Sequence, residues 1–201
     1  MPIEAVVFDI GGVLEINPRT GWIERWAQRL SMTPATFERQ LDVLWRGGDI
    51  GTVTLAEVER RTAGALDLDD VALDELMNEV WAEYLGTLNR PVAEYFGNLR
   101  PRYRTGIISN SFVGAREREQ AAYAFENLCD SIVYSHEVGC LKPDAVIYRI
   151  ACERLGVAAS EVLFLDDVNA HVEAARALGM RGITFVSTEQ AIADLEAQLR
   201  S

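Results

Sequence analysis

Asp9 is the first residue of the sequence whose neighbours in the chain are typical of a reactive group. It ends an unbroken apolar run, Ala5–Phe8, and Gly11 and Gly12 follow after one residue. A run without alternation is typical of a strand covered on both faces, as in a parallel sheet. In such sheets ligands bind beyond the carboxyl ends of the strands, so Asp9 is a candidate nucleophile or metal ligand.

Three later segments place further polar side chains at or after predicted strand ends. They are Ser109 with Asn110, Lys142, and the adjacent pair Asp166 and Asp167. Adjacent carboxylates near a third one repel each other unless a divalent cation joins them, and Mg²⁺ is the natural choice. A hydroxyl and backbone amides that enter a helix predicted from residue 112 suit an anionic oxygen, and Lys142 adds a positive charge. The set indicates phosphoryl transfer, which depends on positioning and charge neutralisation.

The predicted secondary structure that positions these groups changes twice along the chain. Residues 17–88 predict four helices, at 20–30, 34–46, 54–65 and 70–86, with apolar residues at helical spacing. From Pro91 onward, strands and helices alternate, which predicts a parallel sheet. The predicted strands are 104–109, 132–135, 162–166 and 183–186; the predicted helices between and after them are 112–127, 144–155, 170–178 and 188–199.

The first strand belongs with the later units, so the helical block is an insertion. The sequence therefore predicts a Rossmann-like α/β core domain, residues 1–16 and 89–201, and a helical cap domain, residues 17–88. We interpret the four tryptophans of the block as its hydrophobic core rather than as a substrate-stacking set. The loop 46–51, with three glycines, is either an ordinary connection or a segment that reaches a ligand.

Composition limits the partners and the location. The net charge of −12 argues against nucleic acid or an anionic membrane as a partner. No segment is typical of a secretion signal or a membrane span, and three cysteines cannot all pair, so we expect a cytoplasmic protein, monomeric or homodimeric. Of the 19 basic residues only Lys142 is a lysine, which is either chance or a site that needs a compact ammonium group.

Four motifs together resemble the haloacid dehalogenase-like (HAD) hydrolase superfamily, in the branch with a helical cap after the first strand. They are Phe8–Leu14, Ile107–Ser111, Leu141–Asp144 with Tyr148, and Phe164–Asn169. The combination is most similar to sugar-phosphate phosphatases and to the N-terminal phosphatase domain of soluble epoxide hydrolases. The resemblance covers the whole chain and implies the HAD fold.

The resemblance also implies a mechanism and a ligand for each motif. It implies that Asp9 attacks phosphorus and that Ser109, Asn110 and Lys142 hold the phosphate of a small phosphate ester. It implies Mg²⁺ bound by Asp9, the Gly11 carbonyl and the acidic pair, with Asp167 the safer ligand and Asp166 acting directly or through water. The expected activity is that of a Mg²⁺-dependent phosphatase with an aspartyl-phosphate intermediate.

Gly11 departs from the family pattern, because most of these phosphatases have a second Asp there that protonates the leaving oxygen. General acid and base assistance contributes about 10²- to 10⁴-fold in rate. Glu15 and Asp49 are speculative substitutes. The alternatives are a 2-haloacid dehalogenase-type hydrolase, which uses no metal, and a binding or regulatory protein on a weakened hydrolase scaffold.

Three further features of the sequence do not support an additional function. Gly11 and Gly12 lack the third glycine of a dinucleotide-binding fingerprint. The order of acids and lysine differs from that of phosphoacceptor receiver domains. His171 could touch the acidic pair, but we interpret it as a polar residue at a helix start.

Overall fold

The computed structural model describes residues 2–200, so Met1 and Ser201, the ends of the predicted core ranges, lie outside the described residues. The strands are β1 (Ala5–Phe8), β2 (Glu15–Ile16), β3 (Thr87–Leu88), β4 (Arg104–Ser109), β5 (Ser131–Tyr134), β6 (Val162–Asp166) and β7 (Arg181–Thr184). The helices are α1 (Trp22–Arg29), α2 (Pro34–Leu44), α3 (Leu55–Leu66), α4 (Asp70–Leu85), α5 (Arg90–Asn98), α6 (Ala115–Tyr123), α7 (Ser135–Val138), α8 (Ala145–Leu155), α9 (Asn169–Ala177) and α10 (Thr188–Leu199).

A five-stranded sheet in the order β5-β4-β1-β6-β7 forms the centre, and all its strands are parallel. Every residue of β1 is buried. Val6 and Phe8 belong to one apolar cluster with residues of α5 and α10, and Ala5 and Val7 belong to another with residues of α8. The predicted α/β class and the doubly covered first strand are therefore confirmed.

The strand register aligns the ends that bear the polar groups. Phe8 pairs with Ile107 of β4 and with Leu165 of β6, so β1 lies between the two strands. The Asp9 amide donates to the carbonyl oxygen of Leu165 at 2.9 Å. Asp9 and Asp166 thus leave the sheet side by side at its carboxyl edge.

Helices α1 to α4 form an insertion with its own apolar core. Trp22, Trp26, Phe37 and Leu76 are buried together there. Three of the helices begin with a side-chain cap, in which Thr33, Thr54 and Asp69 accept from backbone amides of the first turn. Such caps contribute about 1 kcal/mol each and mark the helix starts in the sequence.

The structure differs from the predicted elements where the signal is short. The antiparallel pair of β2 and β3 joins the insertion to the sheet, and two-residue strands leave no periodicity to detect. Helix α6 begins at Ala115 and not at 112, because Gly114 precedes it with φ of +90°. Strand β7 ends at Thr184, two residues before the predicted end at 186, and Ser135 begins α7 instead of ending β5.

Within residues 2–200, the longest helices are too short or too polar to cross a lipid bilayer.

The loop between α2 and α3 docks on the core through its backbone. The Gly48 carbonyl accepts from the Val113 amide at 2.9 Å, and the Asp49 carbonyl accepts from the Ser135 hydroxyl at 2.7 Å. A Cβ built at Gly51 would overlap the carbonyl oxygen of His136, and the φ of Gly51 is +68°. Only glycine therefore allows this close approach of the two backbones.

We expect Gly51→Ala to lower the free energy of unfolding by more than about 1 kcal/mol, since the new methyl group meets backbone and strains φ. Gly64→Ala is the matched control, because Gly64 lies exposed in α3 and its Cβ would meet no described atom within 4 Å. That variant should gain about 0.5–1 kcal/mol in helix propensity. Urea denaturation measures both, and equal stability of the two variants would contradict the docking.

Candidate active site

Lys142 lies between two carboxylates at the carboxyl edge of the sheet. Its ammonium nitrogen is 2.7 Å from Asp9 Oδ1 and 2.6 Å from Asp166 Oδ2, and it donates to the Ile108 carbonyl at 3.0 Å. Three acceptors match the three N–H bonds of an ammonium group. The Lys142 side chain is fully buried, so a compact cation fits where a planar guanidinium would not.

Asn110 holds the lysine segment in place. Its side-chain amide donates to the Lys142 carbonyl at 2.9 Å, and its oxygen accepts from the Lys142 amide at 2.7 Å. Ser109, buried at the end of β4, lines a cavity together with Gly11 and Asn110. The predicted helix N-terminus at 112 is not there, because α6 begins only at Ala115. An anion beside Ser109 would therefore meet strand-end and loop groups instead of a helix end.

Burial dominates the electrostatics of Asp9. It raises the pKa of the carboxyl to about 7, while Lys142 lowers the pKa and Asp166 raises it. Asp9 also accepts from the Ile10 amide at 2.7 Å. A buried carboxylate beside a second one is poised for chemistry once a further positive charge favours its ionised form.

The acidic pair divides into a buried and an exposed member. Asp166 is fully buried, and its oxygens contact Lys142, the Val168 amide at 2.8 Å and His171 Nδ1 at 3.1 Å. Asp167 is exposed and lines the same cavity as Asp9. Burial, followed by the charge of Asp166, raises the Asp167 pKa.

The donor set fits a hard divalent cation. Three carboxylates face a single ammonium group, which leaves two negative charges uncompensated by Lys142. Asp9 and Asp166 bring oxygen atoms within 4.8 Å of each other and of a ring nitrogen of His171. A Cβ at Gly12 would overlap the Asp167 carboxylate, so that side chain packs over the glycine turn. Oxygen donors of this kind suit Mg²⁺.

Three adjoining cavities lie beside Asn110 at the carboxyl edge of the sheet. The largest, about 800 Å³, is lined by Asp9, Gly11, Asn110, Asp167 and His171 among others. A second, about 390 Å³, contains Gly11 and Asn110 again. A third, about 220 Å³, lies between α4 and the loop after β4. Asn110 lines all three, so they meet beside the lysine segment.

Glu15 and Asp49, the two speculative proton donors, lie in different parts of the structure. Glu15 is buried in the second cavity with Gly11, and burial followed by the charges of Glu119 and Asp9 raises its pKa to about 9. Asp49 is absent from the described residues that line the cavity of Asp9. The docked backbone of its loop contacts Ser135, so the loop serves as a connection between the insertion and the core.

The sequence-based prediction undervalued one residue of the site, His171, and missed another, Asn17. His171 does lie in the first turn of α9, yet it also contacts Asp166 and lines the cavity of Asp9. Asn17 accepts from the Gly12 amide at 3.2 Å and donates to the carbonyls of Glu83 and Tyr84 at the end of α4. No local pattern marks Asn17, because its partners are distant in sequence.

The chain is similar to several known proteins. A family model described as haloacid dehalogenase-like hydrolase matches residues 3–179. Phosphatase MT3486 of Mycobacterium tuberculosis (strain CDC 1551 / Oshkosh) is 30% identical over 200 residues, covering 90% of this chain and 86% of the relative. Bifunctional epoxide hydrolase 2 of Sus scrofa is 24% identical, and the match covers 98% of this chain but 39% of that protein.

A similar fold is found among solved structures. A HAD family enzyme from Bacteroides thetaiotaomicron, in complex with magnesium and inorganic phosphate, matches with a TM-score of 0.76 and 22% identity. The match covers 90% of this chain and 93% of that one. At this identity the likeness shows a shared fold.

We expect Lys142→Arg to lower the free energy of unfolding by about 3 kcal/mol, because the guanidinium cannot keep all three buried contacts. The same variant should lose most of the catalytic activity at this site. Arg60→Lys is the control, since Arg60 is 71% exposed and its replacement should leave the free energy of unfolding close to that of the wild type. Wild-type stability and kinetics in Lys142→Arg would mean that the lone lysine is an accident of composition.

Proposed function

Because the chain belongs to the haloacid dehalogenase-like hydrolase family, we propose that it is a Mg²⁺-dependent phosphatase with an aspartyl-phosphate intermediate. Its substrate would be a small phosphorylated metabolite, with sugar phosphates among the candidates. The observation that supports this best is the buried Lys142 ammonium between Asp9 and Asp166, since Asp9 also lines a cavity of about 800 Å³. Phosphoryl transfer needs such a nucleophile beside fixed positive charge.

Each residue has a role in the proposed reaction. A carboxylate oxygen of Asp9 attacks phosphorus, the bond from phosphorus to the ester oxygen breaks, and the leaving oxygen keeps the electron pair. Ser109 and the Asn110 segment hold the phosphate oxygens. Lys142 contributes positive charge beside them instead of the direct contact expected from the sequence, because its three N–H bonds already reach Asp9, Asp166 and Ile108. Water then cleaves the acyl phosphate and releases inorganic phosphate, which restores Asp9.

The metal would be held by Asp9, the Gly11 carbonyl and the exposed Asp167, with buried Asp166 contributing through water. When bound, Mg²⁺ neutralises negative charge on the phosphate and on the carboxylates. Lys142, Val168 and His171 already contact the carboxylate oxygens of Asp166. These contacts support a water-mediated role for Asp166 and direct binding by Asp167.

We further propose that residues 17–88 act as a cap domain over a core domain formed by residues 1–16 and 89–201. Residues of the insertion line all three cavities that Asn110 shares, which supports a role in substrate choice. A cytoplasmic location and a monomeric or homodimeric state stay predictions. Nucleic acid and anionic membranes remain unfavourable partners for a chain with a net charge of −12.

Asp9→Asn should abolish phosphatase activity, because the amide neither attacks phosphorus nor balances the charge of the metal. Hydrolysis of an aryl phosphate by the wild type should stop with EDTA and return with Mg²⁺. Asp74→Asn, at an exposed position of α4, is the matched control and should keep wild-type rates.

Two outcomes would favour the alternatives. EDTA-insensitive activity together with halide release from a 2-haloacid would support the dehalogenase-type hydrolase. Retained Mg²⁺ binding with no turnover of any phosphate ester would support a binding or regulatory protein.

Gly11 can be tested directly, because the backbone does not require glycine there. A Cβ at Gly11 would meet only Asn17 Oδ1 at 3.6 Å, whereas Gly12 has φ of +73° and no room for one. A carboxyl group can therefore be introduced at position 11 without strain.

We expect Gly11→Asp to speed the hydrolysis of alkyl phosphates at least about tenfold and to shorten the life of the aspartyl-phosphate, because it restores a proton donor and base. The wild type should prefer aryl and anomeric sugar phosphates, whose leaving groups depart more readily unprotonated. Gly11→Asn has nearly the same shape without proton transfer and is the control. If the folded, metal-binding Asp variant changes neither step, another group such as Glu15 already transfers the proton.

A further inference from the structure

We propose that the substrates of this enzyme are aryl phosphates, whose ring is bound in the aromatic cavity between α4 and the loop after β4. The inference rests on the proposed phosphatase activity and adds the chemical class of the leaving group. It extends the sequence-based interpretation of the tryptophans as a hydrophobic core, because two of the four also line this cavity.

The cavity has the size and walls for a ring. Its volume is about 220 Å³, compared with about 150 Å³ for an engineered apolar cavity that takes up benzene. Its lining comes from the insertion and from the core, and consists of Trp45, Met77, Val80, Trp81, Tyr84, Asn110, Ser111 and Phe112.

The aromatic walls are held in fixed mutual orientations. The ring centroids of Trp81 and Tyr84 are 5.2 Å apart with planes at 73°, and those of Trp45 and Phe112 are 5.9 Å apart. Trp81 also packs against the Arg118 guanidinium at 4.1 Å. Aromatic rings arranged in this way offer faces and edges to a further ring.

The position of the cavity relative to the nucleophile suits a leaving group. Asn110 lines this cavity and also the one that contains Asp9. The 390 Å³ cavity between them shares Val80, Tyr84 and Asn110 with the aromatic cavity. A phosphate beside Asp9 and Lys142 can therefore extend its ester group past Asn110 into the aromatic cavity.

The Asn110 and Ser111 side chains of the lining are already engaged within the protein. The Asn110 amide contacts both backbone polar groups of Lys142. Ser111 Oγ is 2.6 Å from His136 Nδ1 and 3.4 Å from Ser135 Oγ. The buried indole N–H of Trp81 has no partner among residues 2–200 and is a single donor, so a sugar or polyol in this cavity would bury several hydroxyl groups and lose most of their hydrogen bonds to water, which is costly. An apolar ring has no such cost.

Gly11 is a second reason, independent of the cavity, to expect aryl phosphates as substrates. It offers no carboxyl beside the nucleophile, so the leaving oxygen departs with the electron pair of the broken bond to phosphorus and takes up its proton from water. A phenol-type oxygen has a pKa of about 10, as in tyrosine, whereas the pKa of an alkyl oxygen is far higher. Aryl oxygens therefore leave more readily without an acid, which disfavours long-chain alkyl phosphates as substrates.

The test is a substrate series with the full-length enzyme and Mg²⁺: acetyl phosphate, phenyl phosphate, 2-naphthyl phosphate and glucose 6-phosphate. We expect kcat/KM for 2-naphthyl phosphate to exceed that for phenyl phosphate by about tenfold, because the second ring buries more apolar area at similar leaving-group basicity. Both aryl esters should exceed the sugar phosphate by a larger factor.

Val80→Phe should reduce the preference for naphthyl over phenyl to about one, because it fills the cavity. The control is Val71→Phe, the same substitution at a position of α4 that is 68% exposed, and it should keep the wild-type preference. The wild-type series decides the question even if Val80→Phe does not fold.

The outcomes separate this inference from the proposed function. Turnover of acetyl phosphate, with glucose 6-phosphate equal to or better than the aryl esters, would overturn the aryl class and leave the phosphatase standing. A naphthyl preference unchanged in a folded Val80→Phe variant would place the ring elsewhere and overturn the cavity assignment. No Mg²⁺-dependent turnover of any of the four phosphate compounds would overturn both.

Discussion

The buried ammonium group of Lys142 is the contact on which the rest of the site depends. Two carboxylates removed from water, Asp9 and Asp166, are tolerated because one cation lies within 2.7 Å of both. Parallel pairing of β1 with β6 brings the acids together, and Asn110 fixes the backbone of the lysine. The surplus negative charge that remains with Asp167 makes the same place suitable for a divalent cation and a phosphate.

Several contacts attach the insertion to the core, and three of them lie close to the nucleophile or to the loop after α2. The β2–β3 pair joins both of its ends, Asn17 ties the glycine turn to the end of α4, and the loop 46–51 docks beside Ser135. These three attachments include backbone groups, and side chains of α4 add further contacts with the core, such as Trp81 against Arg118. The same helix lines two of the cavities beside Asn110, so its packing on the core shapes the space available to a substrate.

Sequence reasoning worked best where one local pattern suffices. Asp9 after β1, Ser109 at the end of β4 and Asp166 at the end of β6 were placed correctly because buried parallel strands have a distinctive composition. It failed at element ends and short pieces: the helix start at 112, the strand end at 186 and the β2–β3 pair. In these cases a left-handed glycine or a distant pairing partner decided the structure, and neither leaves a periodic signal.

The sequence by itself determined the α/β class, the helical insertion and the polar groups at the strand ends, since these follow from apolar periodicity and residue type. Only the tertiary structure decided that Lys142 bridges Asp9 and Asp166, that His171 contacts Asp166, and that Trp45 and Trp81 line a cavity. Those contacts join residues from separate elements, such as Trp45 and Phe112. Their distances depend on how the insertion packs on the core, which no local pattern records.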